Sequence, residues 1–184
     1  MSHVSTRIVL VRHAQSVWPK HGEPDDDERP LTARGLADAE LLVPRLVAYR
    51  PTAVLSSPQR RAVQTVTPAA LALGLEVIAW PELREWESGL LPSADWEELY
   101  RRSWEHPESA HGEGESLDGL TRRAGRALAR VATVHPDETV LVGSHGTFAS
   151  RALIAAGHRA DWDFCRTMPM PAIYEVTSSP AGAA

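Results

Sequence analysis

The 184-residue chain carries 43% hydrophobic and 23% charged residues, with a formal net charge of −5. A chain of this length buries enough surface to need no disulfide or structural metal, and this balance excludes disorder throughout. The acidic charge argues against nucleic acid as a partner, and no apolar run approaches the length of a membrane span.

The first element expected is a β-branched strand, Arg7–Arg12, buried on both faces. Pro19 to Pro30 is polar and reads as a loop; its run Asp25-Asp26-Asp27-Glu28 is taken as solvated rather than as a cation site. Thr32 caps a helix reaching about Tyr49, with Leu36, Ala39, Leu42 and Leu46 on one face. Thr52–Ser56 is a second strand. A helix starting near Pro58 runs toward Leu73 and ends at Gly74, and Glu76–Trp80 is a third, short strand. Residues 81–114 are rich in Pro, Trp and Glu, with a short helix near 94–104. Glu115 or Ser116 opens a long helix that spaces Leu117, Leu120, Ala124, Leu128 and Val131 on one side. Thr139–Gly143 is a fourth strand, followed by a helix to about Ala156; Ala172–Thr177 is the last strand, and the tail from Ser178 frays.

Strands alternating with helices predict an α/β fold: one domain over residues 1–184, a three-layer sandwich with a mainly parallel sheet and helices on both faces. Residues 81–114 form a lid-like insertion in it. The N-terminus shows no small-residue cleavage pattern, which reads as no signal peptide and a cytoplasmic setting. Cys165, being alone, makes no internal disulfide and no cysteine-based zinc site. Lys20, the only lysine, sits in a poor context for a Schiff base or a P-loop.

In such sheets ligands bind beyond the carboxyl ends of the strands. There the sequence places Arg12-His13, then Ser56-Ser57-Pro58-Gln59-Arg60-Arg61, then Arg84-Glu85, then Ser144-His145-Gly146. Arginine forks suit phosphoryl oxygens, and a neutral imidazole can attack phosphorus. A second histidine can bond a non-bridging oxygen, and a carboxylic acid can protonate a leaving oxygen. His106, His111, Glu113 and Glu115 lack helical metal-ligand spacing, so no metal is expected there.

Arg12-His-Ala-Gln-Ser16 resembles the signature of the histidine phosphatase superfamily, the phosphoglycerate-mutase-like fold. The resemblance continues in order through Arg29-Pro-Leu-Thr-Ala-Arg-Gly35, Ser56-Ser-Pro-Gln-Arg-Arg-Ala-Val-Gln-Thr65, Leu83-Arg-Glu85, Gly114-Glu-Ser116 and Val142-Gly-Ser-His-Gly146. It departs at Ala14, where the family more often has Gly. The resemblance implies a cofactor-free, metal-independent phosphoryl transfer with His13 as nucleophile, becoming phosphohistidine. It implies that Arg12, Arg61 and His145 grip the phosphoryl group, with Gly146 and Ser16 as further contacts and Glu85 as proton donor.

Between Trp86 and Gly114 stand seven acids against Arg101 and Arg102, a poor cage for a bisphosphate. Hydrolysis of a small phosphorylated metabolite is therefore preferred to mutase chemistry. A phosphohistidine protein phosphatase and a catalytically silent phosphate-binding module are also compatible with these motifs. Trp80, Trp86, Trp96 and Trp104 either line a pocket for an organic leaving group or, as preferred here, pack the lid onto the sheet. An unprotonated His13 predicts an acid limb of activity, and a protonated His145 an alkaline one.

Overall fold

The structure, a computed structural model, describes residues 5–180. Four strands run parallel: β1 (Thr6–Arg12), β2 (Ala53–Ser56), β3 (Val77–Ala79) and β4 (Thr139–Ser144). β5 (Ala172–Ser178) pairs antiparallel with β1, and the sheet order is β3-β2-β4-β1-β5. The last strand thus takes in Ser178, where the sequence suggested a fraying tail; residues 181–184 lie outside the described part.

The strands are apolar on both faces because both faces are covered. Ile8, Leu10, Leu55, Val140 and Val142 pack with α4 (Leu117–Val134) and α5 (Gly146–Ala155). Val9, Val11, Val54 and Leu141 pack with α1 (Ala33–Ala48) and α2 (Arg60–Leu73). This alternation makes the three layers expected from the sequence. Each fully buried leucine or valine in it contributes about 1.5–3 kcal/mol.

Thr32 caps α1 by accepting the Gly35 N–H, and Ser116 caps α4 by accepting the Gly119 N–H. The five apolar positions of α4 are all buried, as their spacing predicts. On α1 the buried face runs through Gly35, Ala39 and Leu46, whereas Leu36 is exposed. Gly35 sets that face: a Cβ there would lie 2.0 Å from the Gln15 carbonyl oxygen, so only glycine lets the helix press against the loop after β1. α2 begins two residues after Pro58. Among the described helices, α3 (Trp96–Glu105) matches its expectation and α6 (Trp162–Thr167), capped by Asp161, has no counterpart in it. No helix of the described residues is long and apolar enough to cross a membrane.

Candidate active site

Adjacent parallel strands β1 and β4 end level, with Arg12 opposite Ser144 and the His13 N–H donating to the Ser144 carbonyl at 2.9 Å. His13 and His145 are therefore the first residues past two hydrogen-bonded strand ends. Their rings stand edge to face, 5.2 Å apart at 66°. His13 Nδ1 lies 2.7 Å from the Ala14 carbonyl oxygen. A carbonyl only accepts, so Nδ1 carries the hydrogen and Nε2 keeps its lone pair. Burial pushes the His13 pKa down to about 3; the Ala14 bond offsets part of this, and Arg61, Arg12 and Arg29 add to the lowering. Ala14 itself is fully buried and lies outside the positive-φ region, so its methyl is accommodated without backbone strain.

The flanking motif residues hold this loop in place. Thr65 Oγ1 accepts the Ala14 N–H at 3.0 Å, and Gln64 Oε1 accepts the Leu31 N–H at 2.8 Å. Arg61 at the start of α2 is almost fully buried, while Arg60 is exposed. Arg12 donates to the Met168 carbonyl and lies against Gly146, where a Cβ would come within 3.1 Å of its Nε. A side chain at 146 would therefore press on the guanidinium of Arg12 and shift it by a few tenths of an ångström. Five buried side-chain nitrogens and oxygens have no partner among the described residues. Three are Arg12 Nε, Arg61 Nε and His145 Nδ1. Each such buried polar atom costs about 1–3 kcal/mol when left unpaired, which an oxyanion accepting from the donors among them would recover.

Glu85 is clamped by backbone amides. Phe148 N–H (2.9 Å) and Trp86 N–H (2.8 Å) donate to Oε1, and Thr147 N–H (3.2 Å) donates to Oε2. Its own N–H donates to Gln59 Oε1 at 3.0 Å. The first-turn amides of α5 thus hold a carboxylate of the protein. Ser16 is engaged as well: its Oγ accepts from Arg29 Nη1 at 2.6 Å.

The acidic run stays largely exposed, as expected, but two of its carboxylates are also paired with arginines. Asp25 takes Arg29 through two bonds of 2.8 and 3.0 Å, and takes Arg61 Nη2 at 3.0 Å. Asp27 takes Arg84 at 2.8 and 3.0 Å and Gln59 Nε2 at 3.0 Å. Burial alone would raise the Asp25 carboxyl, but Arg29 and Arg61 outweigh it and hold its pKa below the usual value. Asp25, Arg29, Ser57 and Gln59 adjoin the site, and the sequence assigned none of them a role; Arg29, Ser57 and Gln59 lie in the segments quoted above, and for Asp25 the hint is its i,i+4 spacing from Arg29.

His13, Arg61 and Glu85 line one cavity of about 350 Å³ together with Asp25, Arg29 and His21. The rest of its lining is mainly apolar, with Trp18, Leu90, Leu91, Pro92, Trp96, Leu99 and Tyr100, and Ser93 adds a hydroxyl whose oxygen has no partner among the described residues. The tryptophans divide between the two expected roles. Trp80 and Trp86 belong to the core, Trp104 packs under Arg151, and Trp96 faces the cavity. His111 bonds Ser103 and Glu115 pairs with Arg123, so these two are committed elsewhere.

The sequence profile of the histidine phosphatase superfamily (branch 1) matches residues 8–178. A metal-independent phosphoserine phosphatase of Arabidopsis thaliana is 35% identical over 153 residues, 77% of this chain and 64% of that protein. This chain therefore spans a little under two thirds of that relative. Phosphoserine phosphatase 1 of Hydrogenobacter thermophilus is 32% identical over 82% of this chain and 75% of its own length. A probable phosphoglycerate mutase of Yersinia enterocolitica is 32% identical over 76% and 69%. A solved mycobacterial glucosyl-3-phosphoglycerate phosphatase shares the fold, with a TM-score of 0.75 at 21% identity, over 92% of this chain and 88% of that one.

Proposed function

We infer the reaction from one premise: this chain belongs to the histidine phosphatase superfamily (branch 1). It hydrolyses small phosphomonoesters through His13, without a metal. The observation that carries this is the His13 ring, with Nδ1 tied to Ala14 and a free Nε2, in one cavity with Arg61 and Glu85. Nε2 attacks phosphorus as the bond to the leaving oxygen breaks, and Glu85 gives that oxygen a proton. Arg12, Arg61 and His145 take the charge on the phosphoryl oxygens, with Gly146 leaving room for Arg12. Water, deprotonated by Glu85, then attacks phosphorus and the P–Nε2 bond breaks, releasing phosphate and free His13.

Hydrolysis of a phosphate with an uncharged organic leaving group fits this cavity better than a mutase or a carboxylated substrate. The cationic side chains lining it, Arg29 and Arg61, are both bound to Asp25, and most of the remaining lining is apolar. Arg101 is half-buried and paired with Glu98 and Glu105. A second phosphate or a carboxylate would meet mainly tryptophan and leucine there, with His21 and Ser93 as its few polar neighbours and no unpaired arginine to offset desolvation. The presence of Glu85 in the cavity also favours an alkyl or aryl ester over phosphohistidine, whose leaving group needs no such acid.

Phosphate release from an aryl phosphate in EDTA, compared with His13→Ala, tests the reaction. Turnover in EDTA that is lost in the variant supports it; turnover surviving in His13→Ala removes His13 as nucleophile. The same assay on phosphoserine and 3-phosphoglycerate tests the substrate class. A kcat/KM for either that exceeds the aryl value would overturn the apolar-leaving-group reading.

A further inference from the structure

His145 is fully buried at the end of β4, and its two ring nitrogens are in different situations. Nε2 lies 2.8 Å from Ser57 Oγ, whereas Nδ1 has no partner among the described residues. Ser57 follows β2, is itself fully buried, and is held by its N–H donating to the Gly143 carbonyl at 2.8 Å. Its hydroxyl proton has two acceptors within reach. Gln59 Oε1 is 3.4 Å away and already accepts the Glu85 N–H at 3.0 Å. The His145 nitrogen, at 2.8 Å, is nearer and is not otherwise engaged. The Gln59 backbone N–H, at 3.3 Å, already occupies one of the two lone pairs of Ser57 Oγ.

We propose that Ser57 is a positioning residue. Its O–H donates to His145 Nε2 and so fixes a neutral imidazole whose Nδ1–H is the donor offered to the phosphoryl oxygens. This rests on the phosphoryl-transfer reading under Proposed function. It differs from the sequence-based expectation of a protonated His145. A tautomer is set by the bond made at the other nitrogen, and a hydroxyl is one of few groups able to set it by donating.

The surroundings agree with a neutral ring. The charged and titratable groups facing His145 are Arg12 and His13 from the β1 end, Arg29 from the loop, Arg61 from α2, and Arg84 and Glu85 from the segment after β3. Four are arginines, and Glu85 is the single carboxylate among them. Burial first, then Arg61 and His13, hold the His145 pKa well below the usual histidine value. A neutral donor also means that no proton has to be retained on His145 as pH rises, so this ring imposes no alkaline limb.

Ring-nitrogen NMR of the full chain with vanadate or inorganic phosphate bound, from about pH 6 to about pH 9, reads the tautomer directly. The expected spectrum shows His145 protonated at Nδ1 and bare at Nε2 throughout. A doubly protonated ring, or a proton on Nε2 alone, overturns the proposal. Ser57→Ala should lower kcat about 10- to 100-fold with little change in KM, less than deletion of a whole oxyanion donor. It should also mix the two tautomers, and Ser57→Thr, which keeps a hydroxyl, should restore most of kcat. An unchanged kcat in Ser57→Ala overturns the proposal too. If the variant does not fold, the spectrum of the unmodified protein still decides. Loss of turnover in His13→Ala together with a doubly protonated His145 would sink this inference alone; turnover in His13→Ala would sink the reaction on which it rests.

Discussion

Asp25→Asn should make the protein less stable and yet a tighter binder of phosphate. In the structure Asp25 sits 3.0 Å from Arg61 Nη2, so the arginine expected to hold a phosphoryl group already holds a carboxylate. At 3.0 Å and an effective dielectric of about 20, the bare attraction is about 5 kcal/mol. The Asp25 side chain is 37% exposed while that of Arg61 is 1% exposed, so solvent and desolvation reduce the net worth to about 1–2 kcal/mol. An incoming phosphate dianion must displace or share this contact and also meets the repulsion of Asp25. Asparagine keeps the shape and removes the charge. Inorganic phosphate, measured as a competitive inhibitor and by calorimetry, should bind about 5- to 30-fold more tightly, the same 1–2 kcal/mol expressed as a ratio. Without ligand, the melting temperature should fall by about 3–6 °C. Phosphate at about 100 times its dissociation constant should return about 2.7 kcal/mol. Weaker phosphate binding by Asp25→Asn would refute this, since it would mean that the carboxylate serves to hold Arg29 and Arg61 in place.

The folded pKa of His13, about 3, lies below its unfolded value of 6.5, so between them the unfolded chain takes up a proton that the folded chain refuses. Stability should therefore fall as pH drops from 6.5 toward 3, by at most about 1.4 kcal/mol per pH unit for this group, and His13→Asn should flatten the urea midpoints over that range; an identical slope in the variant would exclude His13 as the source. The same shift moves the acid limb expected of a free histidine nucleophile far below the ordinary histidine range, so a kcat/KM limb near 6.5 that tracks His13 would contradict its burial. Glu85→Gln should cost about 100-fold or more in kcat on alkyl phosphates and much less on p-nitrophenyl phosphate, whose alcohol leaves without a proton; equal losses on both would remove the acid role. Gly146→Ala, which brings a Cβ to 3.1 Å from Arg12 Nε, should raise the phosphate inhibition constant several-fold with little loss of melting temperature, because the far end of Arg12 can yield. An unchanged constant would show that Arg12 does not hold phosphate.

Legibility in the sequence followed the range of the interactions. β1 and β4 could be read because strands covered on both faces are apolar throughout, and α4 because its 18 residues display several turns of one face. The order of chemical groups after the strands was legible for the same reason: strand ends locate them. Leu36 was assigned to the wrong side because the face of α1 is set by the contact of Gly35 with Gln15, a tertiary event. α6 is six residues long, too short to show a period. The work of Asp25 and Asp27 depends on partners 36 and 57 positions away, and the environment of His145 depends on Ser57, 88 positions away. Composition shows an acidic loop; only the folded chain shows which arginines it faces.

The level ends of β1 and β4 have a consequence for how such a protein changes over generations. The spacing of its two histidines is written in backbone hydrogen bonds, which point substitutions hardly touch. The apolar lining of the cavity comes instead from Trp18 and from residues 90–100, outside the sheet altogether. Selection can therefore reshape that lining, even by insertion, while the two histidines stay in register. Diversification of substrate within one chemistry is the natural drift of this architecture, and an engineer seeking a new substrate should randomise the lining and leave the strand ends alone.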